Sequence, residues 1–359
     1  MMNILHIASV VDSKFDGVCV VVPQHIVEQQ KIENIAFLNI SNVKLAGVER
    51  QFDFSDNLLI SNLPKPFNHP DIVIFHQTYI IPYLRLSKEL RDNGIPYVIV
   101  PHGDLTTGAQ HKKWLKKKTA NLLLFNRFIN DAIAIQNLSQ QELDSTAFGK
   151  QRFIGTNGIS VPNRQKTLFR EKGMKFVYIG RLDAYHKGLD LLIEAVSAEK
   201  SFFVEHNCSF HIYGPDKDGR YTNIERLIRE NEVEKLIHLS HEVSGEEKEQ
   251  ILYDADLFIQ TSRFEGMPMG ILEALGYGLP CLISRGTCLG GIVEEYDAGW
   301  VAEINANSIT KKMVQAVTER GKWEVKAKNA RRLVEENFAW DKVAAKTVGY
   351  YREFAVNDR

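Results

Sequence analysis

Along the chain, short apolar runs alternate with longer stretches in which apolar positions recur at helical spacing, the pattern of parallel strands wrapped by helices. In the first part this predicts strands over Asn3–Ile7, Ile35–Ile40, Asp71–Phe75, Tyr97–Val100 and Ala132–Ile135. Helices are predicted over Gln24–Glu33, with Pro23 in a first-turn position, over Tyr83–Asn93, closed by Gly94, and over a basic stretch from Gln110 to Phe128. The pattern restarts near residue 175, with strands over Phe176–Ile179, Ser209–Tyr213, Ile237–Leu239, Leu257–Gln260 and Cys281–Ser284. Between the two parts, the run from Thr156 to Lys166 holds an Asn-Gly pair, a proline and polar residues that break both periodicities, so it reads as a linker with the boundary at about residue 163. From Asn307 onward the pattern is almost wholly helical, with Asn307 and Asp341 as caps. Two doubly wound α/β domains, 1–163 and 164–340, fit this better than one large sheet.

Composition narrows the classes. The chain has 359 residues, of which 44% are apolar, enough to bury two cores, and this excludes disordered and fibrous classes. Forty-four Lys plus Arg against 45 Asp plus Glu leave a formal charge of −1, so no global field attracts nucleic acid or an anionic bilayer. Cys19, Cys208, Cys281 and Cys288 are scattered in apolar stretches without metal-ligand spacing, which reads as reduced thiols in a cytoplasmic protein. The N-terminus lacks the basic and long apolar regions of a signal peptide. No apolar run approaches the roughly 20 residues that span a bilayer.

The stretch from Thr261 to Pro280 carries the most chemistry. It follows a strand and opens a helix, and Gly266, Pro268 and Gly270 make a tight loop at the helix start. Backbone N–H groups at such a start are unpaired and collectively positive, which suits a phosphate. Glu265 precedes the helix and Glu273 lies inside it. The pair reads either as a solvated loop charge and an exposed helix charge, or as two carboxylates on one ligand edge at the carboxyl ends of the strands. Phe176–Ile193 reads as a buried strand, a loop and an amphipathic helix, with Arg181 and Lys187 at its ligand end. Arginine offers a planar fork to phosphate oxygens and lysine a point charge, so the two suit a departing nucleoside diphosphate, or else are solvated cations.

In the N-terminal part, Pro101-His102-Gly103 ends a strand at a turn and puts His102 at a sheet's carboxyl edge. The loop Ser9–Cys19 leads from the first strand to a helix, and Gly17 permits close backbone approach while Asp16 adds a charge that repels phosphate. Neither a Gly-x-Gly-x-x-Gly fingerprint nor a Walker loop occurs, so hydride transfer on a nicotinamide cofactor and ATP hydrolysis lack their motifs. The segment Lys112–Lys118 places cations beside Trp114 and Leu115. This is the composition of a helix resting on anionic lipid headgroups or receiving a phosphate-linked acceptor, and equally of a solvated face.

Glu265 and Glu273 with seven residues between them, followed by Glu-Ala-Leu and Gly-Leu-Pro, resemble the signature of the retaining, two-domain glycosyltransferases of family 4, also called glycosyl transferases group 1. Gly-Arg-Leu and Lys-Gly around Arg181 and Lys187, the Pro-His-Gly segment at His102 and the Phe338–Asp341 run match the same family. The resemblance implies the GT-B fold, two doubly wound Rossmann-like domains facing a central cleft, with a final helix (341–359) crossing back onto the N-domain. It implies that Glu273 holds ribose hydroxyls, Glu265 contacts the transferred sugar, Met269–Leu272 meet the diphosphate, Arg181 and Lys187 stabilise its charge, and His102 approaches the donor sugar. Family members usually carry Gly-Gly where this chain has Asp16-Gly17. The implied reaction is metal-independent transfer of a hexose-type sugar from a nucleotide sugar to a glycan or lipid-linked acceptor in bacterial cell-surface polysaccharide synthesis, without cofactor and without nucleic acid. The rival readings are another enzyme on the same fold, a catalytically inactive accessory subunit, and a glycan-binding protein without a diphosphate site.

Overall fold

In the computed structural model of this chain, which describes residues 1–11, 17–107, 110, 121–146 and 148–357, thirteen strands form two sheets. The first sheet holds β1 (Asn3–Ala8), β2 (Asn34–Asn39), β3 (Gln51–Asp53), β4 (Ile72–His76), β5 (Tyr97–Val100), β6 (Ala134–Asn137) and β7 (Arg152–Ile154), in the order β3-β2-β1-β4-β5-β6-β7. The second holds β8 (Met174–Ile179), β9 (Cys208–Tyr213), β10 (Ile237–Ser240), β11 (Leu257–Gln260), β12 (Cys281–Ser284) and β13 (Gly299–Ala302), in the order β10-β9-β8-β11-β12-β13. All pairings are parallel. Parallel strands are covered by helices on both faces, which is why β4, β5, β11 and β12 are buried along their whole length and read as unbroken apolar runs. The strand order reverses once in each sheet, between β1 and β4 and between β8 and β11. These are the switch points outside which open α/β sheets bind ligands, at the carboxyl ends of the strands.

The chain divides into Met1–Gly158 with Trp340–Arg359, and Ile159–Ala339. The division falls a few residues before the expected 163 because Ile159 already belongs to the second unit. Its amide donates to the Phe338 carbonyl at 2.8 Å and its side chain packs into that unit's apolar core. Lys166, expected in the linker, is likewise buried, with its ammonium against the Tyr253 carbonyl. The final helix, Trp340–Asn357, belongs to the first unit: it packs against the helix Gly17–Gln29, with His25 edge-on to Trp340 at 4.8 Å between ring centroids. A Cβ on Gly158 would lie 2.5 Å from the Trp340 ring, so that crossing requires glycine.

Three details differ from the sequence reading. The helix expected to open at Pro23 starts at Gly17 and carries Pro23 inside it. The cap of helix Ala306–Thr318 is Asn305, whose side chain accepts from the Ser308 amide at 2.8 Å, and Asn307 lies within the helix. Asp341 stands in the first turn of the last helix, one residue after its start. Cys208 and Cys281 are buried, and none of the four cysteines forms a disulfide. The lysine cluster Lys112–Lys118 and Asp16 lie outside the described residues. Among the described residues no helix is long and apolar enough to cross a membrane.

Candidate functional site

Two loops at the β8/β11 switch point carry the second unit's candidate residues. The loop after β8 runs from Gly180 to Gly188, and the loop after β11 from Thr261 to Pro268. They are fastened to each other. Arg263 pairs both guanidinium nitrogens with Asp190 at 2.7 and 2.8 Å, donates to the Tyr185 carbonyl at 2.6 Å and lies over the Tyr185 ring. The Thr261 hydroxyl donates to the Gly188 carbonyl at 2.8 Å. Gly188 has φ +64°, and a Cβ there would lie 2.0 Å from the Thr261 carbonyl oxygen, so close approach of the loops depends on this glycine.

Within the junction, Lys187 Nζ meets Glu265 Oε1 at 2.5 Å, both side chains being about nine-tenths buried. The same oxygen accepts from the Ser262 hydroxyl at 2.6 Å and the Gln260 amide at 3.0 Å. Three donors on one carboxylate oxygen fix its orientation and offset the cost of burying its charge. Arg181 is exposed beside this pair, 3.5 Å from His186 Nδ1. His186 donates from Nε2 to the Phe264 carbonyl at 2.9 Å, because a carbonyl only accepts, and so Nδ1 faces Arg181 as an acceptor. Burial, with Lys187 and Arg181 adding, holds the His186 pKa below its usual value against the opposing pull of Glu265. The His186 ring stacks on Phe264, itself half exposed.

The helix Met269–Gly276 opens beside this pair. Its N-cap is Pro268, without a side-chain cap; the Ile271 and Leu272 amides donate to the Pro268 carbonyl at 3.0 and 3.4 Å, so the positive end of the helix is offered to an anion by the Met269 and Gly270 amides. A Cβ on Gly270 would lie 3.4 Å from the Ile179 carbonyl, which puts the helix start directly over the end of β8. Ile271 and Leu272 point into the core. Glu273 is not grouped with Glu265: its carboxylate is paired with Lys248, on the helix Gly245–Asp254.

The first unit holds His102 and Gly17. His102 has φ +49° and Gly103 +87°, a left-handed pair that turns the chain sharply after β5 and costs strain at His102. The turn is held by Glu142, whose two oxygens accept from the Gly103 amide at 2.7 Å and the Leu138 amide at 2.6 Å. Burial raises the Glu142 pKa while those two amides lower it. The His102 ring meets His76 at 3.2 Å between nitrogens, and burial lowers its pKa to about 3. Gly17 begins the helix after β1, with open space around its Cα.

Sequence reasoning singled out Lys187 and Glu265 separately but missed their anchors, Gln260, Ser262, Arg263, Asp190 and His186, and missed Lys248, Glu142 and His76. Ser139, a cap three residues before Glu142, signalled a helix start there. The histidine closing the apolar run Ile72–Phe75 marked a polar group at a strand's carboxyl end. Among the described residues no group of three or more His, Cys, Asp and Glu is arranged to hold a metal ion.

Residues 161–334 match the family described as Glycosyl transferases group 1. An uncharacterized glycosyltransferase of Methanocaldococcus jannaschii is 28% identical over 49% of this chain and 44% of its own length. A lipopolysaccharide 1,6-galactosyltransferase of Salmonella typhimurium is 26% identical over 70% of this chain and 65% of its own. The chain thus matches less than two thirds of the length of either relative. Among solved structures, Alr3699/HepE of Anabaena, determined in complex with UDP, superposes with a TM-score of 0.74 over 98% of this chain and 100% of that one, at 14% identity.

Proposed function

We propose that this chain, whose residues 161–334 match the glycosyl transferases group 1 family, is a retaining glycosyltransferase that moves a hexose from a nucleoside diphosphate sugar to a glycan or lipid-linked acceptor in cell-surface polysaccharide synthesis. The observation that carries the reading is the junction at the β8/β11 switch point, where Lys187, held by Glu265, and the exposed Arg181 stand beside an uncapped helix start. A diphosphate seated on the amides of Met269 and Gly270, those of Ile271 and Leu272 being held by the Pro268 carbonyl, meets both cations there. As the sugar–oxygen bond breaks, charge builds on the leaving diphosphate, and preorganised cations stabilise that charge more than they stabilise the intact donor. A diphosphate oxygen takes the acceptor hydroxyl's proton on the face the leaving group departs from, and the configuration at the sugar carbon is retained.

Glu265 offers its second oxygen to a sugar hydroxyl, while Glu273 exchanges Lys248 for ribose hydroxyls. The Anabaena structure in complex with UDP favours uridine as the base, and the name of the Salmonella relative favours galactose and a lipopolysaccharide acceptor. Charge neutralisation by Arg181 and Lys187 leaves no role for a metal, so transfer should continue in chelator.

The test is a thermal-shift series with UDP, GDP, ADP and CMP and their sugars, with and without chelator, on the wild type and Glu273→Ala. A rise with one nucleotide that is smaller in the variant and indifferent to chelator supports the donor site. No rise with any nucleotide at millimolar concentration refutes it and favours an accessory or glycan-binding role. Vesicle co-sedimentation of Lys→Glu variants at Lys116, Lys117 and Lys118 tests contact with an anionic membrane.

A further inference from the structure

His6 stands on β1, His76 ends β4 and His102 follows β5, three neighbours in the first sheet, so their rings form a row along its switch-point edge. His6 Nδ1 lies 2.9 Å from His76 Nε2, and His76 Nδ1 lies 3.2 Å from His102 Nε2. At the inner end His6 Nε2 lies 3.1 Å from Gln29 Oε1, on the helix Gly17–Gln29. The ring planes are tilted by only 20° and 29° from one ring to the next, which suits in-line N–H···N bonds.

His6 and His76 are fully buried, and burial pushes the pKa of all three rings far below the ordinary histidine value, so each is neutral with one donor and one acceptor nitrogen. Each N···N contact needs one proton, since none would set two lone pairs against each other and two would set N–H against N–H. The three protons are therefore ordered in one sense, all on Nε2 or all on Nδ1. Gln29 turns its carbonyl oxygen to His6 and leaves its own Nε2 buried without a partner; the oxygen only accepts, and in this orientation it selects the ring Nε2 throughout. The nitrogen left bare at the outer end is His102 Nδ1.

We infer that His6 and His76 are positioning residues that, with Gln29 at the inner end, hold His102 in its Nε2-protonated tautomer and leave its Nδ1 bare as an acceptor of fixed orientation at the carboxyl edge of the first sheet. The row stands independently of the proposed activity. In this role His102 is a lone-pair donor of fixed orientation, set by groups two strands away, in the way that a buried partner fixes which nitrogen of a histidine stays free.

The test is long-range 1H–15N spectroscopy of the full chain labelled at histidine nitrogen, which distinguishes protonated from bare ring nitrogens. In the wild type without ligand, His6, His76 and His102 should each show a protonated Nε2 and a bare Nδ1. Gln29→Met removes the acceptor that selects the sense, and all three rings should then move together toward the average of the two tautomers. His76→Phe cuts the row, so His102 should average while His6 keeps its proton on Nε2. A wild-type ring protonated on Nδ1, a charged ring, or a His102 signal unmoved in Gln29→Met overturns the inference. Wild-type spectra decide it even where a variant fails to fold.

Discussion

Replacing Glu265 by glutamine keeps the shape of the side chain and removes its charge, which leaves the Lys187 ammonium buried without its counter-ion. At 2.5 Å the direct attraction at an effective dielectric near 20 is about 6–7 kcal/mol, most of it offset by desolvation of both ions. Removing one partner of such a buried pair costs about 3–5 kcal/mol. The amide oxygen still accepts from Ser262 and Gln260, so the lower figure, about 3 kcal/mol, applies. For a unit of roughly 180 residues this lowers the melting temperature by about 6–12 °C. The assay is calorimetric unfolding of Glu265→Gln, Lys187→Met and the double variant. The double variant should be more stable than Glu265→Gln alone, with a coupling energy above about 2 kcal/mol. Millimolar pyrophosphate should return part of the stability of Glu265→Gln, because an anion can replace the lost carboxylate. A coupling below about 0.5 kcal/mol would refute the reasoning, since the pair would then behave like an exposed one.

Two further outcomes follow from the geometry. Burial holds His6 at about 3, His25 at about 4 and His76 well below its usual value. Below pH 6.5 the unfolded chain therefore takes up protons that the folded chain refuses, and stability falls as pH drops, by about 2 kcal/mol for each of the three between pH 7 and 5. Urea unfolding at the two pH values measures this, and His25→Gln should flatten the dependence by that amount; an unchanged dependence would show that His25 does not stay neutral. Gly188→Ala sets a Cβ 2.0 Å from a backbone oxygen at φ +64° and should cost at least about 2 kcal/mol. Gly266→Ala, with nothing within 4 Å, should stay within about 0.5 kcal/mol by thermal melting, and equal effects would show that the loop junction is not tight.

The strands that escaped the sequence reading are β3, β7 and β13, and each is a sheet edge. An edge strand is covered on one side only, so its apolar period is short and weak: Gln51-Phe52-Asp53 and Arg152-Phe153-Ile154 hold too few buried positions to stand out. The central strands, buried on both faces, were legible because burial demands unbroken apolar runs. At the site, Arg181, Lys187, Glu265 and Gly270 were visible through local composition. The contact between Lys187 and Glu265 was not, since 78 positions separate them and only the sheet order, with β11 beside β8, brings their loops together. His6 was invisible for the opposite reason, because one histidine in an apolar strand looks like any satisfied core residue until its neighbours across the sheet are known.

The first unit is closed by Trp340–Asn357, and this has a consequence for the order of folding on the ribosome. When the first 158 residues have emerged, the surface that the last helix will cover is still open, including Gln136, which receives the Tyr351 hydroxyl, and Phe153, which packs on Tyr350 and Phe354. About 200 more residues must be made first, roughly 10–40 s at ordinary synthesis rates. In that interval the inserted unit, Ile159–Ala339, has all of its own strands and can complete its core. The half of the chain made first is thus the last to finish folding.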